Sequence, residues 1–100
     1  MVERYARKLA PLTTNVGQHN MSWMIEIYAM VPPDSAKEPE LVHKAISIGG
    51  RYAFREDRGE KNGNRLVTLT FEFENERDAA AASEAFRSAK EHVEGPVPYG

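Results

Sequence analysis

The chain has 100 residues, a formal net charge of −2 and no cysteine. The length suits one domain, and the mildly acidic balance argues against a protein whose main task is to grip nucleic-acid phosphates. The lack of cysteine excludes disulfides, thiolate catalysis and sulfur-based metal centres. Neither a signal peptide nor an apolar run of the roughly 20 residues that a membrane span needs is visible, so we expect a cytoplasmic protein without a membrane partner.

Residues 1–20 differ in character from the rest of the chain. Their excess of positive charge comes from Arg4, Arg7 and Lys8, and Pro11 interrupts their short helix-like stretch. We therefore expect a loosely packed leader over residues 1–20, followed by a single domain over residues 21–100.

The segment Ser22–Val31 has the period-two alternation of a strand. Its residues divide into an apolar face, with Trp23, Ile25, Ile27 and Ala29, and an opposite face with Met24, Glu26, Tyr28 and Met30. Pro32 and Pro33 end the strand, because neither residue has a backbone N–H to donate to a ladder.

A helix is predicted next, within the segment DSAKEPELVHKAISIGG. Asp34 or Ser35 can cap its start, Pro39 suits its first turn, and Gly49 suits the left-handed position past its end. Its apolar residues recur at helical spacing and include Leu41, Val42, Ala45 and Ile48.

Two further strands follow, joined by a hairpin. We predict them over Arg51–Arg55 and Arg65–Glu74, because apolar and polar residues alternate in both segments. Asn62-Gly63 between them is the strongest short-range hairpin signal, since both turn positions need a positive φ.

The register of this hairpin follows from the turn. A two-residue loop places Phe54 opposite Phe71 and Tyr52 opposite Phe73, and directly opposed residues share a face. All four aromatic side chains then point to the core. The same register predicts two pairs on the other face, Arg51 with Glu74 and Arg55 with Thr70.

A second helix is predicted after Asn75, whose side chain caps the start. Small or apolar residues recur every three or four positions, in a stripe that comprises Ala79, Ala82, Phe86, Ala89 and Val93. We expect the helix to continue to Val93 and to stop at Gly95-Pro96. The final residues 97–100, VPYG, form at most a marginal fourth strand.

The predicted order is strand, helix, strand, strand, helix and at most a short fourth strand. A helix between the first two strands implies a right-handed crossover. We therefore predict an α+β domain of the ferredoxin-like split βαβ type, in which two helices cover one face of an antiparallel sheet.

The stretch Arg65–Phe86, RLVTLTFEFENERDAAAASEAF, resembles the third strand and second helix of an RNA-recognition motif. In that family two outward aromatic side chains of the third strand stack on bases. The matching positions here are Thr68 and Thr70, which have no ring to stack, and Glu26 next to Tyr28 repels phosphate. The resemblance therefore implies a fold, and single-stranded nucleic acid binding stays a second alternative function.

The outward face of the predicted sheet carries more apolar surface than a monomer normally exposes. Its apolar members are Met24, Tyr28, Met30 and Leu66. The predicted ligand or interface face comprises Met24, Glu26, Tyr28, Met30, Leu66, Thr68 and Thr70. Four kinds of cover are consistent with it: a second copy of the chain, residues 1–20, a protein partner, or a small apolar ligand.

Basic residues follow the hairpin, at Arg51, Arg55, Arg58, Lys61 and Arg65. Acidic residues interleave with them at Glu56, Asp57 and Glu60. The pattern favours a solvated, mixed-charge hairpin, and its alternative is a docking patch for an anionic ligand.

No assembled catalytic set is visible in the sequence, and we predict no catalytic residue, no metal site and no cofactor. The three histidines, His19, His43 and His92, lack the spacing that sets two metal ligands on one helical face. The leading hypothesis is a binding or interaction module that is homodimeric through the outward face. The first alternative is a small enzyme of the dimeric α/β-barrel type, with a pocket lined by Met24, Glu26, Tyr28 and Thr68.

Overall fold

The computed structural model describes residues 21–99, so the predicted leader lies outside the described residues. The fold is α+β, with two helices and a four-stranded antiparallel sheet. Its elements are β1 (Ser22–Val31), α1 (Lys37–Ser47), β2 (Arg51–Lys61), β3 (Asn64–Phe73), α2 (Glu76–Ser88) and β4 (His92–Tyr99).

The strands lie in the order β2-β3-β1-β4. The central pair, β1 and β3, keeps one register from Trp23 opposite Phe73 to Val31 opposite Arg65. β1 has the predicted bounds and the predicted alternation, because Ile25, Ile27 and Ala29 are all buried on one face.

The core lies between the inner face of the sheet and the two helices. The buried residues of both helices join the inward residues of the strands in one cluster, which includes Ile25, Ile27, Leu41, Ala45, Leu69, Phe71, Phe73, Ala79, Ala82 and Phe86. The stripe of α2 is made of alanine around Phe86, so this helix can approach the sheet closely. Burial of such side chains contributes about 25 cal/mol per Å² of apolar surface.

The end of α1 matches the prediction, but its start does not, because Ala36 rather than Asp34 or Ser35 takes the N-cap position and makes no side-chain capping bond. The hydroxyl of Ser35 accepts a hydrogen bond from the backbone N–H of Lys37, at 3.0 Å. Past the last turn, Gly49 has a φ of +104°, and the N–H of Gly50 donates to the carbonyl of Ala45 at 2.9 Å. The predicted glycine stop is confirmed.

α2 begins as predicted but ends earlier. The Asn75 side chain accepts from the N–H of Asp78 at 2.8 Å, which is the predicted cap. The prediction that the helix continues to Val93 is wrong, because Lys90 adopts a φ of 71° and the N–H of Glu91 bonds the Phe86 carbonyl at 3.0 Å. These bonds close a Schellman motif whose left-handed residue is a lysine rather than the usual glycine.

The residues released from the helix extend the fourth strand. β4 starts at His92 and pairs with β1, so it is a full member of the sheet rather than the marginal VPYG strand. Val93 is buried in the core from β4. Gly95 marks a shift in the β1–β4 register, where its backbone lies so close to the Met24 carbonyl that a Cβ would sit 2.7 Å from it.

The β2–β3 hairpin has the predicted turn but not the predicted register. Asn62 and Gly63 have φ values of 54° and 83°, as a type I′ turn requires, and Lys61 lies opposite Asn64 as expected. The register then shifts twice, between Asp57 and Glu60 and between Tyr52 and Phe54. β2 therefore continues to Lys61 instead of ending at Arg55.

These shifts move the β2 aromatics from their predicted positions. Tyr52 lies opposite Phe71, with ring centroids 5.5 Å apart, and Phe54 lies opposite Thr70 on the outer face, where it is 61% exposed. The predicted inward position of Phe54 is wrong. The two predicted outer-face pairs change as well, to Arg51 with Glu72 and Arg55 with Leu69. An edge strand with charged, exposed side chains tolerates such bulges, because no core contact fixes its register.

Candidate binding face on the open side of the sheet

The outer face is the surface of the sheet that the helices leave uncovered. Directly opposed residues share a face, so the strand pairings define its members. They are Arg51, Phe54 and Glu56 of β2; Leu66, Thr68, Thr70 and Glu72 of β3; Ser22, Met24, Glu26, Tyr28 and Met30 of β1; and His92, Glu94, Val97 and Tyr99 of β4. The whole predicted ligand or interface face lies within this set.

Exposed apolar side chains lie at both ends of the outer face. Met30 is 45% exposed, and Phe54, Val97 and Tyr99 are each more than half exposed. The sequence analysis missed these last three residues. Phe54 was not predicted there because a bulge next to it changes the face on which it lies. Val97 and Tyr99 were not predicted there because the sequence did not indicate a full fourth strand.

Four polar side chains meet at the centre of this face, and we call them the carboxylate cluster: Glu26, Tyr28, His92 and Glu94. The Tyr28 hydroxyl donates to Glu26 Oε1 at 3.1 Å, and His92 Nε2 lies 2.9 Å from Glu94 Oε2. The Tyr28 and His92 rings meet edge to face with centroids 5.3 Å apart. The hydrogen bond to Glu26, with the charge of that carboxylate, raises the pKa of Tyr28 above its ordinary value.

The two carboxylates of the cluster lie directly opposite each other, Glu26 on β1 and Glu94 on β4. Like charges at such a cross-strand pair destabilise a sheet. A hydroxyl and an imidazole are their partners in the described part of the chain, and no lysine or arginine there lies within ion-pair distance of either carboxylate.

A cation lies beside the cluster but does not neutralise it. Arg58 Cζ is 5.6 Å from the centroid of the Tyr28 ring, in a cation–π contact. Within residues 21–99 the Arg58 guanidinium makes neither a hydrogen bond nor an ion pair. Among the described residues, the outer face thus combines an arginine without an ion-pair partner and two carboxylates without a lysine or arginine partner.

Two threonines form the floor of the outer face. Thr68 and Thr70 are 3% and 4% exposed, and the Thr68 hydroxyl is buried without a hydrogen-bond partner among the described residues. Tyr28 and Glu56 are its cross-strand neighbours. A buried hydroxyl with no partner costs free energy.

The predicted anionic-ligand patch is divided between the two sides of the hairpin. Arg55 lies on the helix side, where its Nε donates to Glu38 at 2.6 Å and this hydrogen bond raises the pKa of Arg55. Arg51 forms an ion pair with Glu72 on the outer side. The structure therefore does not gather the basic residues Arg51, Arg55, Arg58, Lys61 and Arg65 around one point.

Near the tip of the hairpin, the basic charge is matched by acid. Arg65 Nη1 lies 3.3 Å from Asp57 Oδ1, and its Nη2 lies 3.8 Å from a Glu60 oxygen. The hydrogen bond that the Gly59 N–H donates to Asp57, with the charge of Arg65, lowers the pKa of Asp57. This part of the patch has the predicted character of a mixed-charge hairpin.

A shallow, open depression of about 210 Å³ lies at the bulge of β2, lined by Tyr52, Ala53, Phe54 and Arg55. It is separate from the pocket that the sequence suggested around Met24, Glu26, Tyr28 and Thr68. Its lining offers one guanidinium, which Glu38 already holds.

Other kinds of site were sought in the same part of the chain. Within residues 21–99 no group of three or more histidine or acidic side chains is placed to hold a metal ion. Neither helix of that range has the length and apolarity to cross a membrane.

With the geometry of the outer face established, the chain was compared with other proteins. Comparison with protein families, with characterised proteins and with solved structures finds no match to this chain.

Proposed function

We propose that this protein is a non-catalytic binding and interaction module that forms a homodimer through the outer face of its sheet. The element order β-α-β-β-α-β and the strand order β2-β3-β1-β4 support a ferredoxin-like arrangement for the domain. A cytoplasmic location remains part of the proposal.

The observation that carries the proposal is the set of large apolar and aromatic side chains on the outer face, which we call the apolar rim. Seven large side chains on one uncovered face are apolar or aromatic: Met24, Tyr28, Met30, Phe54, Leu66, Val97 and Tyr99. Exposed apolar patches larger than a few hundred Å² are rare on monomeric proteins and indicate an interaction site.

The size of the face suits a small but specific interface. Strands about 4.8 Å apart that rise about 3.3 Å per residue give this sheet a face of roughly 600 Å². Specific interfaces bury about 600–1,000 Å² on each partner. Two copies packed face to face reach this range, and an isologous dimer needs only one self-complementary surface.

The test compares one substitution on two exposed side chains. Met30→Glu places a charge in the proposed interface, whereas Ile46→Glu places the same charge on the helix side, at a residue 52% exposed. Light scattering of the full chain should give a dimer for the unmodified protein and for Ile46→Glu, and a monomer for Met30→Glu. A monomeric unmodified chain at micromolar concentration would contradict the proposal.

A second candidate function, the small enzyme with a pocket between the sheets, is favoured by the hydrogen bond from Tyr28 to Glu26 next to the buried Thr68 hydroxyl. A base, a hydroxyl donor and an unpaired hydroxyl on one floor could bind a polar substrate in a dimer. Fluorescence of the apolar dye anilinonaphthalene sulfonate tests for that pocket. Dye that binds the dimer and is expelled by Thr68→Trp supports the pocket that this candidate requires, and no dye binding contradicts the candidate.

A further inference from the structure

We propose that Arg58 of each copy reaches into the carboxylate cluster of the other copy and pairs with Glu94 and Glu26 there. This inference rests on the proposed homodimer and adds to it the charged contact that fixes how the two sheets meet. Its basis is that Glu26, Glu94 and Arg58 lie on the same face and that none of them forms an ion pair with a lysine, an arginine or a carboxylate among the described residues.

The cost of leaving these charges unpaired is the first step. Packing two sheets about 10 Å apart removes water from the cluster and from Arg58. An ion that is buried without a partner costs several kcal/mol, so a sheet-to-sheet dimer needs a cation against Glu26 and Glu94 and an anion against Arg58.

The second step is that residues 21–99 of one copy do not supply that pairing. Arg58 occupies the face of the Tyr28 ring, and the Tyr28 hydroxyl already holds Glu26. On the other side of the cluster, Glu94 has only His92. Both the arginine and the carboxylates remain able to accept a partner from above the sheet.

The third step is chemical fit. A guanidinium has five N–H donors in a planar fork and can bind carboxylate oxygens two at a time. Two opposed carboxylates, Glu26 and Glu94, offer such acceptors side by side. In a two-fold dimer each copy gives one arginine and receives one, so a single contact type satisfies both clusters.

A charge swap between copies tests the proposal. Arg58→Glu and Glu94→Arg should each weaken the homodimer by at least tenfold, because each places like charges together twice. An equimolar mixture of the two variants should form a heterodimer of nearly unmodified affinity, since both of its contacts are then complementary. Analytical ultracentrifugation of the full chains measures all three dissociation constants.

Arg77→Glu serves as the matched control, because Arg77 is exposed on α2, away from the outer face. It changes the net charge by the same amount as Arg58→Glu and should leave the dimer intact. If the two single variants dimerise like the control, the Arg58 contact is wrong while the dimer stands.

A variant with both changes in one chain separates contacts within a copy from contacts between copies. If that double variant dimerises but the mixture of single variants does not, the pair forms within one copy and the inference is overturned. If the unmodified chain is a monomer, the proposed function fails first, which is a distinct result.

Discussion

The two faces of the sheet are built from alternate residues of the same strands, and they differ in almost every physical respect. On the inner face, Ile25, Leu69 and Phe71 are fully buried under the helices. On the outer face, Met30 and Phe54 are exposed, and within residues 21–99 no lysine or arginine forms an ion pair with Glu26 or Glu94. The inner face therefore accounts for folding, whereas the outer face is where we propose that a second copy binds.

The largest expected effect comes from removing one aromatic ring from each face. Phe71→Ala should lower the free energy of unfolding by about 3–5 kcal/mol, because it leaves a cavity in the core. Phe54→Ala should change that free energy by no more than about 0.5 kcal/mol, because the side chain is exposed. Urea denaturation followed by circular dichroism measures both values.

Dimerisation would hide this contrast, so the measurement is made in the Met30→Glu background. A loss above about 2 kcal/mol for Phe54→Ala there would show that Phe54 packs within one copy, contrary to its position on the outer face. An unchanged stability for Phe71→Ala would contradict the assignment of the core.

The next effect concerns two buried hydroxyls that have no hydrogen-bond partner within residues 21–99, one on each side of the sheet. Thr68 lies on the outer face and Ser83 on the inner surface of α2. Removing an unsatisfied buried hydroxyl with little change of shape relieves a cost of about 1–3 kcal/mol. Thr68→Val and Ser83→Ala should therefore both raise the midpoint of thermal unfolding of the monomeric Met30→Glu protein.

In the dimer the two substitutions test whether the partner contacts the floor of the outer face. Ser83→Ala should leave the dissociation constant unchanged, because α2 is far from the proposed interface. If Thr68→Val weakens dimerisation, the partner uses the Thr68 hydroxyl, and if it does not, the apolar rim and the charges account for association.

Sequence periodicity alone predicted the fold wherever one face of an element is buried. β1, β3 and the start of α2 were placed to within a residue or two, because their apolar residues must reach one core. β2 was placed badly, since its side chains are exposed throughout and two bulges cost it little. The turn at Asn62-Gly63 fixed the pairing only next to itself.

The candidate site was predictable to the same degree. Met24, Tyr28, Met30 and Leu66 follow directly from alternation on strands with a buried opposite face. Five contributions do not: Phe54 depends on a bulge, and His92, Glu94, Val97 and Tyr99 depend on a full fourth strand, where the sequence predicted a helix to Val93 and at most a marginal strand after it. A pairing such as Glu26 with Glu94 involves distant parts of the chain, so no local pattern reveals it.

The smallest predicted effect concerns the helix ends, which differ in the residue that takes the left-handed conformation. Gly49 takes it after α1 and Lys90 after α2, and for a residue with a Cβ this conformation costs about 1 kcal/mol relative to glycine. Lys90→Gly should raise the free energy of unfolding by about that amount, and Gly49→Ala should lower it by a similar amount.

Both changes lie on the covered side of the sheet, so neither should alter the dissociation constant of the dimer. Chemical denaturation and ultracentrifugation of the same samples would show whether stability and association vary independently. A shift of the dimer constant by Lys90→Gly would mean that the end of α2 is coupled to β4 and, through His92, to the outer face.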